Sequence, residues 1–581
     1  MKHNIIIVFI LGVLLSFASC DLNNLPLDSI SPNTFFNTEN DLKLYTNSFY
    51  NMLPNGEGVY NERIDNVISN DMTDELRGTR IVPTSGGGWS WNNLRNINYF
   101  LENSSKSIDK KAVMKYNGVA RFFRAYFYFD KVSRFGDVPW YSTSIEPNDE
   151  AMLTKPRDSR VLVMDSILAD INYAIENLES TSKINQVTKW TALALKSRIC
   201  LYEGTFRKYH PEFNLPGFER FLDEAIAASD ELMKNGPYKI YMEQPETAYQ
   251  KLFSSMDAIP TEIILARNFD DALQVYHNLN YYTMTASYGR PGLEKKLVNS
   301  YLMKDGTRFT DISGYETMDF YQETRNRDPR LSQTIRTPGY TRIGENTPLV
   351  QEFGATVTGY QLIKFVTERK WDTYGKSAND MPIFRFAETL LNFAEAKAEK
   401  GTLTQEDLDR SIKLIRDRVA MPNISLAYAN ANPDTYQAKI YPNVTGPNKG
   451  VILEIRRERR IELVMESFRW DDIMRWKAGK TLTDQFKGMY FPGIGSFDLD
   501  NDGKADVYIY EGTKPDIKNV QLLKLNGDIT LENGSNGGNI LINSHINKKF
   551  DENKDYLYPI PISERLLNPN LTQNPGWDDG L

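Results

Sequence analysis

Three stretches of this chain put flat aromatic rings beside guanidinium and amide groups. That mixture grips a sugar, whose C–H faces stack on indole or phenol while Arg, Asn and Asp take its hydroxyls. The first stretch is Gly86-Gly87-Gly88-Trp89-Ser90-Trp91-Asn92-Asn93, with Arg77 and Arg80 just upstream. Glycines let a backbone approach a ligand closely, and tryptophans at i and i+2 point to opposite sides of an extended segment. One indole would then face the ligand, which makes Trp89, Trp91, Asn93, Arg77 and Arg80 candidate contacts. The competing reading has both indoles plugging a helix bundle.

The second stretch holds Tyr281, Tyr282 and Tyr288; the third is Arg369-Lys370-Trp371-Asp372-Thr373-Tyr374-Gly375. Both read as loops ahead of helices, and Tyr281, Tyr282, Arg369 and Trp371 join the candidates, although any one of these tyrosines could equally be core. A ring face burying roughly 100 Å² contributes about 2.5 kcal/mol. Two such faces with a few hydrogen bonds give an affinity between about millimolar and micromolar, which suits capture followed by release.

A different chemistry is spelled by Asp498-Leu499-Asp500-Asn501-Asp502-Gly503-Lys504-Ala505-Asp506. Carboxylates Asp498, Asp500, Asp502 and Asp506 stand at positions 1, 3, 5 and 9 with glycine at 6, a spacing that wraps hard oxygen ligands around Ca²⁺. Position 12 is Ile509 rather than Glu and no flanking helices are evident, so this is not an EF-hand. A structural calcium and a solvated acidic turn both fit; no other cofactor is indicated.

Catalysis finds little footing. A glycosidase needs two carboxylates at a set separation, which 76 acidic residues neither show nor exclude. Four scattered histidines (His3, His210, His277 and His545) give no zinc site or histidine triad. The chain is read as a binding protein, not an enzyme. A net charge of -8 argues against nucleic acid. The run Arg456-Arg457-Glu458-Arg459-Arg460, interleaved with Glu454, Glu462 and Glu466, reads as a solvated, salt-bridged helix face.

The first residues address the chain to a membrane. Lys2 and His3 precede an apolar run from Ile5 to Leu15, too short to span a bilayer, and Phe17-Ala18-Ser19 leads into Cys20. Residues 1–19 are read as a removed signal peptide. Small residues running into a cysteine resemble a lipoprotein lipobox, with Phe17 where Leu is commonest, so Cys20 is the expected lipidation site; an ordinary signal peptide is the alternative. Cys200 is then left without a partner in an Ala/Leu-rich stretch and reads as a small buried hydrophobe.

Helices must position these groups. Ala387, Leu390, Leu391, Ala394 and Ala398 make a small-residue stripe ended by Gly401; Ile461, Val464, Met465 and Phe468 repeat the spacing; Ala192, Leu195, Ile199 and Tyr202 follow it before Gly204. Residues 121–130 are apolar on more than one side and read as a buried helix. Further helices are predicted near 39–53, 92–106, 157–178, 217–234 and 405–419. Long Gly-, Pro-, Asn- and Tyr-rich stretches separate them, at 54–91, 236–290, 305–381, 421–450 and 488–560. Paired helices with Ala-rich seams suggest tetratricopeptide-like packing without a fixed period.

Four ordered segments carry a family resemblance. Phe129-Asp130 through Phe135-Gly136-Asp137-Val138-Pro139 resembles the "FD-x-x-x-x-FGDVP" segment of the SusD/RagB nutrient-binding lipoproteins. Arg385-Phe386-Ala387-Glu388 through Ala394-Glu395-Ala396 is similar to their "R-x-AE…AEA" helix, and Glu458-Arg459-Arg460-Ile461-Glu462-Leu463 through Arg475-Trp476 to their "ERR-x-EL…RW" stretch. Tyr558-Pro559-Ile560-Pro561 and Asn574-Pro575-Gly576-Trp577 resemble the family ending. The resemblance implies a mainly α, SusD-like fold of about four imperfect tetratricopeptide-like helix pairs with a loop-rich, partly β ligand face. It implies one compact unit, with an N-terminal part over 20–290 and a C-terminal part over 291–581. It also implies an outer-membrane lipoprotein that passes oligosaccharide, or in some members peptide, to a SusC-type TonB-dependent transporter. The family's binding residues vary and have no motif to carry over. Those motifs are fold signatures: the charges of 454–475 pair across packed helices, and Phe135 to Pro139 is a helix stop and turn.

Overall fold

A computed structural model describes residues 35–56, 62, 64–578 and 580; Cys20 and the leader lie outside them. Helix accounts for 43 % of the structure and strand for 10 %, so the architecture is mainly α, as expected. Nine helices carry the argument: α1 (Glu39–Asn47), α2 (Asn92–Asn103), α3 (Lys110–Phe135), α4 (Arg160–Asn177), α5 (Lys189–Tyr209), α6 (Phe218–Asn235), α7 (Phe386–Lys400), α8 (Lys449–Glu462) and α9 (Arg469–Arg475). From α3 to α8 each packs against the next, forming a continuous row.

Local chemistry sets their ends. The side chain of Asp109 accepts the Ala112 N–H to start α3, and Ser159 accepts the Leu162 N–H to start α4. Gly136 and Gly401 stop α3 and α7 with φ of +73° and +82°, a conformation glycine adopts without strain. Residues 121–130 are buried on several sides, with Phe122, Phe123, Ala125 and Tyr128 fully enclosed. Gly204 does not end its helix. α5 continues through it to Tyr209, and a Cβ there would stand 2.8 Å from Leu222 Cδ2, so this glycine lets α6 approach closely. Cys200 is buried, and burial pushes its thiol well up, as expected of an inert small hydrophobe.

Short strands tie distant parts together. β1 (Val67–Ile68) pairs antiparallel with β3 (Gly292–Leu293), and β2 (Ile263–Arg267) with β4 (Met381–Arg385). A ribbon of β5 (Phe486–Phe491) and β9 (Gly538–Ile542) lies beside a three-stranded sheet of β6 (Gly495–Phe497), β7 (Val507–Tyr510) and β8 (Gln521–Lys524). One hydrophobic cluster runs from Phe36 to Leu571.

The basic run of α8 is salt-bridged but not solvated: Arg456, Arg457, Glu458, Arg459, Arg460 and Glu462 are all buried. The β2–β4 ladder explains why they tolerate burial, because it sets Glu262 against Arg385. Arg385 Nη1 donates to Glu262 (3.1 Å) and Glu462 (2.7 Å), while Arg418 donates to the same two acids. Arg330 closes the group on Asp328, Glu458 and Glu462. Burial alone would raise the Glu462 carboxyl, yet Arg418, Arg385 and Arg330 outweigh it and hold the group far below its usual range. Beside this hub, Asp65 pairs with Arg460 and Arg469, and Glu395 with Arg475. Removing one member of such a group costs about 3–5 kcal/mol, since the partner charge stays buried.

Two predicted helices are corrected. The spacing at Ile461 to Phe468 does not continue α8, because Met465 and Ser467 both take φ of +63°. Side chains bind the turn instead: Tyr249 and Arg385 donate to the Glu462 carbonyl, Lys364 to that of Val464, and Glu62 accepts the N–H groups of Met465 and Arg469. The stretch 405–419 splits into Gln405–Asp409 and Ile412–Asp417, where Ser411 leaves helical geometry and its hydroxyl bonds the Asp407 carbonyl.

Candidate functional site

The 86–91 segment folds inward. Gly86, Gly87 and Gly88 all have positive φ (+75°, +57° and +89°), so the chain curls instead of extending. The curl aims two carbonyls at α3, where Arg134 Nε donates to Gly87 O (3.0 Å) and Lys131 Nζ to Gly88 O (2.8 Å). Trp89 and Trp91 consequently do not point to opposite sides; their rings meet edge to face at 5.3 Å. Trp89 is buried against Phe135, and Trp91 is half-buried among Phe127, Tyr128 and Tyr141. Arg80 is a core residue too. Its guanidinium lies among the rings of Tyr558, Trp577 and Trp470 and donates to Asp555. Arg77 is partly exposed and donates to the Met72 carbonyl, and Asn93 is exposed on the first turn of α2. Trp89 and Arg80, enclosed and already partnered, offer no free face to a ligand.

The second and third aromatic stretches come together. His277 and Ser377 form an antiparallel bridge, with N–H to O distances of 2.9 and 3.1 Å, and Asn278 accepts the Gly375 N–H. Asn280 is bonded to Thr367 through both its amide groups, and Arg342 donates to the Thr367 carbonyl and Asp372. Tyr281 and Tyr282 sit on a short helix (Leu279–Met284) and Trp371 on a 3₁₀ turn (Arg369–Trp371), so neither group is in a plain loop as expected.

This clamp sets Tyr374, which is 63 % exposed, perpendicular to half-buried Tyr281 at 5.3 Å. Tyr282 is buried and stacked at 3.8 Å on Tyr288, leaving the half-buried Tyr288 as the outer ring of that pair. Trp371 is half-buried. Arg369 is exposed and makes a two-pronged pair with Glu345 (2.7 and 2.8 Å), which holds the Glu345 carboxyl below its usual range and uses only two of the guanidinium's five donors. The 270–276 turn adds Leu273 and Val275, both exposed, and Tyr276 under the Lys376 ammonium. Sequence reading missed that turn, since nothing along the chain brings 270–276 beside 371–376. The result is an open aromatic corner with hydrogen-bonding groups at its edge.

The acidic loop joins β6 to β7. Oxygens of Asp498, Asp500 and Asp506 lie within 4.8 Å of one another. Asp502, the fourth expected ligand, does not join them, because Lys504 holds it by a 2.8 Å ion pair. Burial, then the charges of Asp500, Asp498 and Asp502, push the Asp506 carboxyl up. Three converging carboxylates fit a hard divalent cation; the four-carboxylate set does not form.

A SusD family model matches residues 261–577, so the chain belongs to the SusD family. A second, described as "Starch-binding associating with outer membrane", matches residues 88–201. The chain is similar to SusD-like protein P2 of Formosa agariphila, 23 % identical over 610 residues that cover 98 % of this chain and 99 % of that one. It is also similar to SusD-like protein P38 of the same organism, at 24 % over 83 % of this chain and 93 % of that one. Among solved structures, a SusD-like carbohydrate-binding protein of Bacteroides fragilis superposes with a TM-score of 0.68 at 22 % identity, covering 93 % of this chain and all of that one.

Proposed function

We propose that this chain is a cell-surface lipoprotein that captures oligosaccharide at the Tyr281–Tyr374 corner and delivers it, uncleaved, to a SusC-type TonB-dependent transporter in the outer membrane. The observation that carries the glycan reading is the 63 % exposed Tyr374 ring, braced by Tyr281 on a clamped pair of segments beside Arg369 and Trp371. An exposed aromatic held rigid loses little entropy on stacking a sugar. Membership of the SusD family and the starch-binding, outer-membrane description of the 88–201 match support the same reading. Among the described residues no helix is long and apolar enough to cross a membrane, and the anchor rests on Cys20.

Affinity electrophoresis of the purified chain through gels containing plant, microbial and host polysaccharides tests capture. At least one polysaccharide should retard it, and a Trp371→Ala/Tyr374→Ala double variant should run free. Retention on peptide columns with no polysaccharide retardation would replace glycan by peptide as the ligand. Shortened products after incubation with the retarding polysaccharide would overturn delivery without cleavage. Labelled palmitate entering the wild type but not Cys20→Ser tests the anchor, and co-purification with a TonB-dependent transporter tests the partner.

A second proposal concerns the acidic loop: calcium joins Asp498, Asp500 and Asp506 and orders the turn between β6 and β7. Calorimetry on chelated protein should show a calcium heat that Asp500→Asn removes, and no heat in the wild type would overturn it.

A further inference from the structure

A second cavity lies away from the aromatic corner and shares no residue with it. It is a cleft of about 560 Å³ between the helix Lys295–Ser300 and the β5–β9 ribbon, within the range of about 300–1,000 Å³ typical of small-molecule sites. Most of the lysine charges on its wall are spent on neighbouring carboxylates, while Glu316 stands at the exposed rim and accepts the Tyr315 hydroxyl. Lys296 pairs with Asp484 (3.1 Å), Lys487 with Glu532, and Lys295 with Glu323 behind the wall. Among the described residues Glu294 faces no side-chain cation at bonding distance; its oxygens accept the backbone N–H groups of Lys296 (2.6 Å) and Lys487 (3.1 Å), and burial raises its carboxyl. An anionic ligand would have to displace carboxylates from these lysines. A neutral one would not.

The remaining groups point to what kind of neutral ligand. Asn299 is 92 % buried with its side-chain oxygen unpaired among the described residues, and the side-chain oxygen of Asn539 is likewise unpaired. An enclosed acceptor without a donor is unfavourable, so a hydroxyl that reached either amide oxygen would satisfy it. Tyr315, Tyr436 and Tyr490, each half-buried, line the same space, from a 3₁₀ turn (Tyr315–Thr317), the helix Thr435–Ile440 and β5. Unpaired amide oxygens, neutralised charges and phenol faces together suit a ring that is apolar on its faces and hydroxylated at its edge.

We infer that this cleft is a second carbohydrate site, taking a neutral sugar unit between Tyr490, Tyr436 and the amides of Asn299 and Asn539. The choice of sugar among neutral polyols rests on the function proposed above; the cleft itself does not. Because the two sites stand on different segments, a long glycan could be held at both, gaining avidity without a tighter contact at either.

Two measurements on the full chain decide it. Crystals soaked in a mixture of glucose, galactose, mannose and xylose should show a hexose or pentose in the cleft. Titration with an oligosaccharide cut from the retarding polysaccharide should give two sites per chain. Tyr490→Ala should weaken one of these about tenfold, the change expected from losing roughly 1.4 kcal/mol of stacking. Asn533→Ala/Asn536→Ala, on an exposed turn of the cleft rim, should weaken the same site if Tyr490→Ala fails to fold. Retardation with one site, insensitive to both variants, and an empty cleft would overturn this inference and leave the corner reading standing. A sugar in the cleft with no polysaccharide retarding the chain would do the reverse. An empty cleft and no retardation would remove both.

Discussion

The segments 86–91 and 273–375 begin from nearly the same ingredients, glycine turns, aromatic rings and nearby arginines, and end as opposites. In the first, the cations belong to a neighbouring helix: Lys131 and Arg134 seize the carbonyls of Gly88 and Gly87 and draw the turn down, sealing Trp89. In the second, the cations belong to the region itself: Arg369 pairs with Glu345, Arg342 holds the Thr367 carbonyl, and backbone bridges such as His277 to Ser377 complete the clamp. Tyr374 stays in water. What decides whether an aromatic turn becomes core or platform is therefore the owner of the charge that bonds its backbone.

The sharpest way to break this contrast is Trp89→Ala. Emptying a buried indole should cost about 3–5 kcal/mol in chemical denaturation while glycan retardation of the folded fraction is unchanged. Loss of retardation at full stability would reverse the assignment of the two regions. Next comes Arg134→Met, which frees the Gly87 carbonyl and removes the cation over Tyr558; a loss of about 1–3 kcal/mol is expected, with Trp89 fluorescence shifting to the red. For the open region, Trp371→Ala/Tyr374→Ala should weaken binding at least about tenfold, yet move stability by no more than about 0.5 kcal/mol. Unfolding of that variant would show that the corner is structural.

The smallest effect is a pH dependence. Arg369 lowers the folded-state pKa of Glu345 below its ordinary value of 4.5. A depressed carboxyl contributes its stabilisation above the unfolded pKa and loses it as pH falls through the folded one. Retardation should thus be flat from neutral pH down to about 5 and weaken only below that. Glu345→Gln should lie slightly below the wild type at neutral pH and lose the pH dependence, and a change centred near neutrality would point to another group.

Much of the fold was legible along the chain. The Ala387 to Ala398 stripe, its Gly401 stop, the buried 121–130 helix and the turn at Gly136 all depend on neighbours within one or two turns, which is what spacing can see. The solvated reading of α8 failed because its partners are not nearby. Glu458 and Glu462 look like local surface pairs until strand pairing brings Glu262 and Arg385, with Asp328, Arg330 and Arg418, from elsewhere. The candidate site was legible in composition and not in place. Tryptophans at i and i+2 diverge only on an extended strand, and three left-handed glycines abolish that premise. Tyr281 and the 369–375 stretch were both marked, but the contact of Tyr281 with Tyr374 depends on a bridge between residues a hundred positions apart. In the acidic loop, position alone could not show that Lys504 would turn Asp502 aside.

The ionic hub has a bearing on when this protein can come into being. A nascent chain that has emerged only as far as Tyr441 already contains Glu262, Arg385 and Arg418, but the carboxylate of Glu462 that balances the two guanidiniums does not yet exist. Collapse at that stage would leave two guanidiniums sharing the single carboxylate of Glu262 out of water, so the polypeptide has reason to stay open until its closing stretch is made. Premature stops before Glu462 should yield material that is degraded, not a smaller working piece.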